Sequence, residues 1–282
     1  MNQVGIVDTI QQWRDTAQYW AKHHHTIRVM LAPLTQALIE QARIVERYSV
    51  VDVAGGAGEP SLSISEVVGP HGKVMCTDPV AEMLAAAQIE AINLGLNNVQ
   101  FRQCTADSLP FVHDSFDAAV CRLGVMFFPD ALAGLQEMLR VTRPGGYVSL
   151  AVWDKSEVNP YSYLITEVVS RHVQSTPVDP NAPDAFRFAE PGKLADILKD
   201  AGAIDVAERV IKFDIAAPIS PQEFWEMRAE ISETLRVKLS RMSDEERAEI
   251  ADEVIEAVGE YFPNNQMVFP AQMIIVSGAK QK

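Results

Sequence analysis

Residues 51–61 read VDVAGGAGEPS. The β-branched run from Val50 to Ala54 ends in Gly55-Gly56-Ala57-Gly58, and Pro60 follows at a first helical position. A strand that passes into a helix through a glycine loop has side chains it can spare. A ligand there approaches the backbone and the helix N-terminus. In an open α/β sheet, ligands bind outside the carboxyl ends of the strands, at such a turn. A tight turn chosen only for packing is the competing reading.

Downstream of the loop, the helix runs to Val68 and stops at Gly69-Pro70-His71-Gly72. Lys73 to Thr77 reads as a second strand, Pro79 to Leu94 as a helix closed by Gly95, and Val99 to Gln103 as a third strand. Asp117 to Arg122 is a fourth strand, Asp130 to Leu139 a helix and Tyr147 to Trp153 a fifth strand. That cadence implies βαβ units and a mostly parallel sheet. Upstream, Trp13, Ala17 and Trp20, then Leu31, Leu34, Leu38 and Ile39, recur at helical spacing.

Beyond Trp153 the pattern loosens around Pro160, Pro177, Pro180 and Pro183. Asn159-Pro160-Tyr161 reads as a helix-start turn. Pro191 to Ala201 is a helix, Val206 to Ile215 a strand, and Met273 to Val276 a closing strand. Between the last two strands, Ser220-Pro221-Gln222-Glu223 and Ser243 to Glu246 are capping boxes. The first opens a stripe of Phe224, Met227, Ile231, Leu235, Leu239 and Met242; the second opens one of Ile250, Val254 and Val258.

The chain has 282 residues, 48% of them hydrophobic, enough for one enlarged domain or two small ones. Its formal net charge is −14, which argues against the basic footprint of a nucleic-acid binder. Residues 221–262 hold 12 acidic and 5 basic side chains, a net −7 and half of the total, read as the solvated face of amphipathic helices. Cys76, Cys104 and Cys121 form no ligand or disulfide pattern and are expected to be buried, reduced thiols. Met1 to Ile10 lacks the apolar run of a signal peptide, and no stretch approaches the length of a membrane span. The expected compartment is cytoplasmic.

Asp78 ends the second strand, 20 residues past Gly58, where a carboxylate can accept both hydroxyls of a ribose. Two nucleoside cofactors compete. A dinucleotide fold wants G-x-G-x-x-G, and the nearest match here, Gly56 to Ser61, ends in serine. Glu59 also places an acid where a pyrophosphate needs donors and positive charge. S-adenosylmethionine has no phosphate and carries a cationic sulfonium, so it suits an acidic neighbour better.

VDVAGGAGEPS, Cys76-Thr77-Asp78-Pro79, Thr105 to Phe111 (TADSLPF), Phe116 to Val120 (FDAAV) and Arg143-Pro144-Gly145-Gly146 stand in this order over residues 45–153. Together they make the chain resemble the class I S-adenosylmethionine-dependent methyltransferases, in the broad group around the ubiquinone/menaquinone C-methyltransferases. The resemblance implies an α/β, Rossmann-like fold with a seven-stranded, mostly parallel sheet flanked by helices. The expected division is an N-terminal helical cap (1–48), a cofactor core (49–219 and 271–282) and a helical lid insertion (220–270).

It also implies roles. Ala54, Gly55 and Gly56 would line the methionine moiety, Asp78 with Pro79 would hold the ribose, and Met83 would pack on adenine. Asp107 would accept from the adenine amino group, with Ala106 and the Ser108 backbone beside it, and the Arg122 backbone would sit near the sulfonium. Asp52 reads as a loop-organising acid. Two departures stand out: Ala54 replaces the usual first glycine, and Leu123 to Phe128 lacks the pattern of the quinone enzymes.

Methyl transfer from a sulfonium needs positioning and water exclusion more than a catalytic motif, and none is visible. His23, His24 and His25 are consecutive on a helix and point about 100° apart, so they cannot share one ion. One of them, His24, is the candidate facing the cleft; His172 has no visible partner. Tyr19 and Trp20 are candidates to close over the donor, and Phe127, Phe186 and Trp225 are candidate acceptor walls. The acceptor is expected to be a small, largely apolar molecule, with no metal. The rivals are an NAD-dependent oxidoreductase and a non-catalytic module that binds S-adenosylmethionine.

Overall fold

The computed structural model describes residues 3–173 and 183–282, so Pro177 and Pro180 lie outside the described residues. Three helices lead: α1 (Gln3–Lys22), α2 (His24–Met30) and α3 (Ala32–Gln41). The alternating part follows as β1 (Ser49–Val53), α4 (Ser61–Val68), β2 (Lys73–Asp78), α5 (Ala81–Asn93) and β3 (Val99–Gln103). It continues with β4 (Phe116–Arg122), α6 (Ala131–Val141) and β5 (Thr142–Trp153). The last part comprises α7 (Pro160–His172), α8 (Lys193–Asp200), β6 (Ala203–Ala217), α9 (Pro221–Ile231), α10 (Glu233–Leu239), α11 (Asp244–Val258) and β7 (Met267–Lys280).

The seven strands form one sheet in the order β3-β2-β1-β4-β5-β7-β6. The first five neighbours run parallel, and β7 is antiparallel to both β5 and β6. From β1 the chain builds outward to β2 and β3 on one side, then returns to add β4 on the other. This reversal opens a crevice at the carboxyl ends of β1 and β4. Successive residues of the central strands supply opposite cores. Val50, Val74 and Val120 pack with the N-terminal helices, α7 and α9 to α11, whereas Val51, Ala119 and Leu150 pack with α6 and α8.

Several boundaries differ from the sequence reading. Pro60 is the N-cap of α4 and not its first residue. Strand β5 begins at Thr142, because Thr142 pairs with Phe116 before the register resumes at Ala118 and Tyr147. The Arg143-Pro-Gly-Gly segment bulges between them. A Cβ on Gly146 would stand 2.4 Å from the Asp117 carbonyl oxygen, and Gly145 has φ +78°. Strands β6 and β7 are longer than expected because they pair with each other from Ala203↔Lys280 to Ala217↔Met267.

Both capping boxes form, at Ser220 with Glu223 and at Ser243 with Glu246. The long stripe they open is broken, since Ser232 ends α9 and its side chain accepts from the Leu235 amide to start α10. Phe224, Trp225, Leu235, Ile250 and Val254 belong to the large core against the sheet. Asn159 caps α7 from a buried position, its Nδ2 donating to the Lys155 and Gln272 carbonyls at 2.9 and 3.0 Å. Cys76 and Cys121 are buried free thiols; Cys104, just past β3, is free but only half-buried. Among the described residues no helix is long and apolar enough to cross a membrane.

Candidate functional site

The glycine loop is shaped by two buried acids. Asp52, one residue before the end of β1, turns its carboxylate into the loop. Its Oδ2 accepts from the Ser61 amide at 3.0 Å and from Ser61 Oγ at 2.6 Å, which ties the end of the strand to the start of α4. A Cβ on Gly55 would lie 2.7 Å from both Asp52 Oδ2 and Cys76 Sγ, so no larger residue fits there. Ala54 already holds φ +60° and Gly56 φ +53°, and a Cβ on Gly56 would meet nothing within 4 Å. The loop backbone therefore faces open space. Burial raises the Asp52 carboxyl to about 7, against the pull of Ser61 and the Arg122 guanidinium. Asp52 thus organises the loop, as expected, from inside the protein.

Asp78 stands across the loop at the end of β2. Its Oδ2 accepts from the Gly56 amide at 3.0 Å and its Oδ1 from the Val80 amide at 2.9 Å. These two bonds fix the plane of the carboxylate. Burial raises its pKa to about 6, and the two amides act in the opposite direction.

A cleft of about 230 Å³ opens on this pair. Of the residues singled out in the sequence, Ala54, Gly55, Gly56, Asp78, Pro79, Met83, Ala106, Asp107 and Arg122 line it, as do Trp20, His24 and Phe127. Ser108 does not; its amide closes a turn on the Thr105 carbonyl at 3.3 Å. Tyr19 does not either. It neighbours Trp20 on a helix and so faces about 100° away, where the Arg236 guanidinium lies 5.8 Å from its ring. Phe186 packs on Trp153 with ring centroids 6.4 Å apart, and Trp225 is buried in the large core, so neither lines this cleft. None of residues 220–270 lines the cleft, and the apolar side chains of this segment pack in the large core.

The apolar walls come from the N-terminal helices. Ile10, Trp13, Ile27 and Leu31 line the cleft together with Leu123 and Phe128. Trp13 packs edge-on against Phe127 at 5.1 Å and lies 5.9 Å from Trp20. The sequence reading placed Trp13 only on an apolar helix face. Its spacing of seven residues from Trp20 was the available signal, because two turns return a side chain to the same face.

The polar groups of the cleft are heavily cross-linked. Arg122 is buried and donates to Thr35 Oγ1 at 2.7 Å and to the Glu59 carbonyl at 3.3 Å, joining β4, α3 and the glycine loop. Glu59 accepts from Ser63 Oγ at 2.8 Å and pairs with Arg28 at 3.3 Å. Burial raises its pKa, with Arg122 opposing. Asp130 caps α6 by accepting from the Ala133 amide at 3.0 Å.

The three histidines diverge. The His23 ring meets Glu230 at 2.5 Å, His25 is exposed, and His24 sits between the Ala21 carbonyl at 2.8 Å and Glu90 at 3.1 Å. His172 does have a partner, Glu253 at 3.1 Å, supplied by α11 and invisible from local sequence. Among the described residues no group of three or more His, Cys, Asp or Glu is placed to hold a metal ion.

Comparisons with known proteins fit this geometry. Residues 20–171 match the sequence model of the ubiE/COQ5 methyltransferase family. An uncharacterized protein of Mycobacterium tuberculosis is 37% identical over 124 residues, covering 44% of each chain. The ubiquinone/menaquinone biosynthesis C-methyltransferase UbiE of Coxiella burnetii is 36% identical over 123 residues, covering 43% of this chain and 49% of that one. The chain thus spans less than half the length of the curated relatives it matches. A crystal structure of a SAM dependent methyltransferase from Aquifex aeolicus superposes with TM-score 0.50 at 27% identity, covering 65% of this chain and 85% of that one.

Proposed function

The chain belongs to the ubiE/COQ5 methyltransferase family, and from that premise we propose that it transfers a methyl group from S-adenosylmethionine to a small, largely apolar acceptor, releasing S-adenosylhomocysteine. One observation carries the choice of donor. The cleft sets an enclosed carboxylate, Asp78, beside a second acid, Glu59, at the entry to α4. A dinucleotide would press its pyrophosphate against that carboxylate, whereas a sulfonium is attracted to it. This disfavours an NAD-dependent oxidoreductase.

The residues present fit such a donor. Asp78 accepts from the ribose hydroxyls with its remaining lone pairs, since each carboxylate oxygen has taken only one amide. Gly55 and Gly56 would give backbone access for the methionine moiety, Met83 with Pro79 would pack on the base, and Asp107 would accept from the adenine amino group; all five line the same cleft, which supports this reading. When bound, the donor supplies a methyl group on a sulfonium with an excellent leaving group. The protein's part is to align the acceptor and exclude water. Trp13, Ile27, Leu31 and Phe127 do this with apolar surface, which supports an apolar acceptor.

Incubating the chain with methyl-labelled donor and a panel of small apolar acceptors, followed by mass analysis, tests the reaction. Label is expected in one acceptor, and much less of it with Asp78→Asn at the same subsaturating donor concentration. Donor binding without transfer to any acceptor would favour the non-catalytic module.

A further inference from the structure

Strand β6 ends one side of the sheet: among the described residues it pairs with β7 and has no strand beyond it. A free edge offers a row of unpaired amides and carbonyls, and proteins blunt such edges with short strands, prolines or bulges. The opposite edge, β3, has five residues, whereas β6 has fifteen and no proline. Its bulge lies between Ile204 and Ala207, and from Ala207 to Ala217 the pairing is regular. Exposed residues lie on both faces of this stretch, Ala207 and Arg209 on one, Val210, Lys212 and Asp214 on the other. Neither helix layer therefore overhangs the edge there.

The order of charges along the edge fits a second copy of the chain. Two copies related by a two-fold axis pair antiparallel, and residues opposite each other share a face of the joint sheet. Because faces alternate along a strand, the axis passes through a residue. An axis at Glu208, Arg209 or Lys212 sets that charge against itself, and one at Ile211 sets Glu208 against Asp214. An axis at Phe213 draws in Ile215 and Ala217, which are buried. An axis at Val210 sets Glu208 of each copy against Lys212 of the other, two attractive pairs with no like charges opposed. It also places Val210, 49% exposed, against its own mate.

We propose that the β6 edge is a self-association surface, through which two copies join over residues 207–213 about an axis at Val210. The two sheets then run on as one. Such a contact is isologous, so it closes at a dimer. The Gly192 amide donates to the Glu208 carboxylate at 3.0 Å, which fixes that acid beside the strand. The pairing is independent of the reaction proposed above.

Sedimentation equilibrium of the wild type and of Lys212→Glu over a range of concentrations tests this. The wild type is expected to dimerise. Lys212→Glu sets acid against acid at two places and should raise the dissociation constant about tenfold or more. A wild type that stays monomeric throughout, or a dissociation constant that Lys212→Glu leaves unchanged, would overturn the proposal. Cross-linking with a short bis-maleimide checks the register, against the wild-type background set by half-buried Cys104. Val210→Cys is expected to give a covalent dimer. Asp214→Cys, whose mate lies eight residues or about 26 Å along the strand, is not. A covalent dimer from Asp214→Cys, or none from Val210→Cys, refutes the axis at Val210.

Discussion

Asp78 joins the end of β2 to the glycine loop and lines the cleft. Two backbone amides hold its carboxylate in place, yet burial keeps its pKa near 6 in the free chain. Ribose hydroxyls donate to the charged form, so ligand binding lowers this pKa, and protons leave as the ligand binds. Affinity for S-adenosylhomocysteine should therefore be level above pH 6 and fall as the pH drops below it, by at most about tenfold per unit. Asp78→Asn turns an N–H towards the Gly56 or Val80 amide and loses charged hydrogen bonds worth about 1.5–3 kcal/mol, roughly 10- to 100-fold in affinity. Titrations between pH 5 and pH 8 check both expectations, and a pH-independent affinity would exclude Asp78 as the ribose acceptor. The place of this residue at the cleft was readable in the sequence because it depends on position alone, at the end of the second strand. Trp13 was not, because a wall residue and a core residue look the same until the neighbouring helix is placed.

At the scale of elements, local signals were legible and pairing was not. The box at Ser243 was readable because serine and glutamate three residues apart satisfy each other's backbone amides without outside help. Removing it with Ser243→Ala should cost about 1 kcal/mol of stability. Thermal unfolding measures this, and because α11 contributes nothing to the cleft, affinity for S-adenosylhomocysteine should not change. An unchanged melting temperature would show that the box is not stabilising α11. By contrast, β6 is an edge strand with only three of its fifteen residues buried, so its true length is set by pairing with β7 and leaves little hydrophobic trace. The break at Ser232 was hidden in the same way, because the apolar stripe continues across it while the backbone does not.

For the molecule as a whole, the sheet order places the cleft, and the added helices decide what the cleft is made of. The acidic segment 221–262 looked like a cover for the site. Its apolar face packs in the main core, and none of its residues lines the cleft. The N-terminal segment does line it, with Trp13 and Trp20 from α1, Ile27 from α2 and Leu31 just after α2. Trp225 and Phe186 were plausible walls only because sequence gives hydrophobicity without direction. The central claim is the identity of the cofactor, and parallel calorimetric titration of the chain with S-adenosylhomocysteine and with NADH tests it most directly. Saturable one-site binding of S-adenosylhomocysteine with no heat from NADH is the expected result; tight binding of NADH with none of the thioether would contradict it.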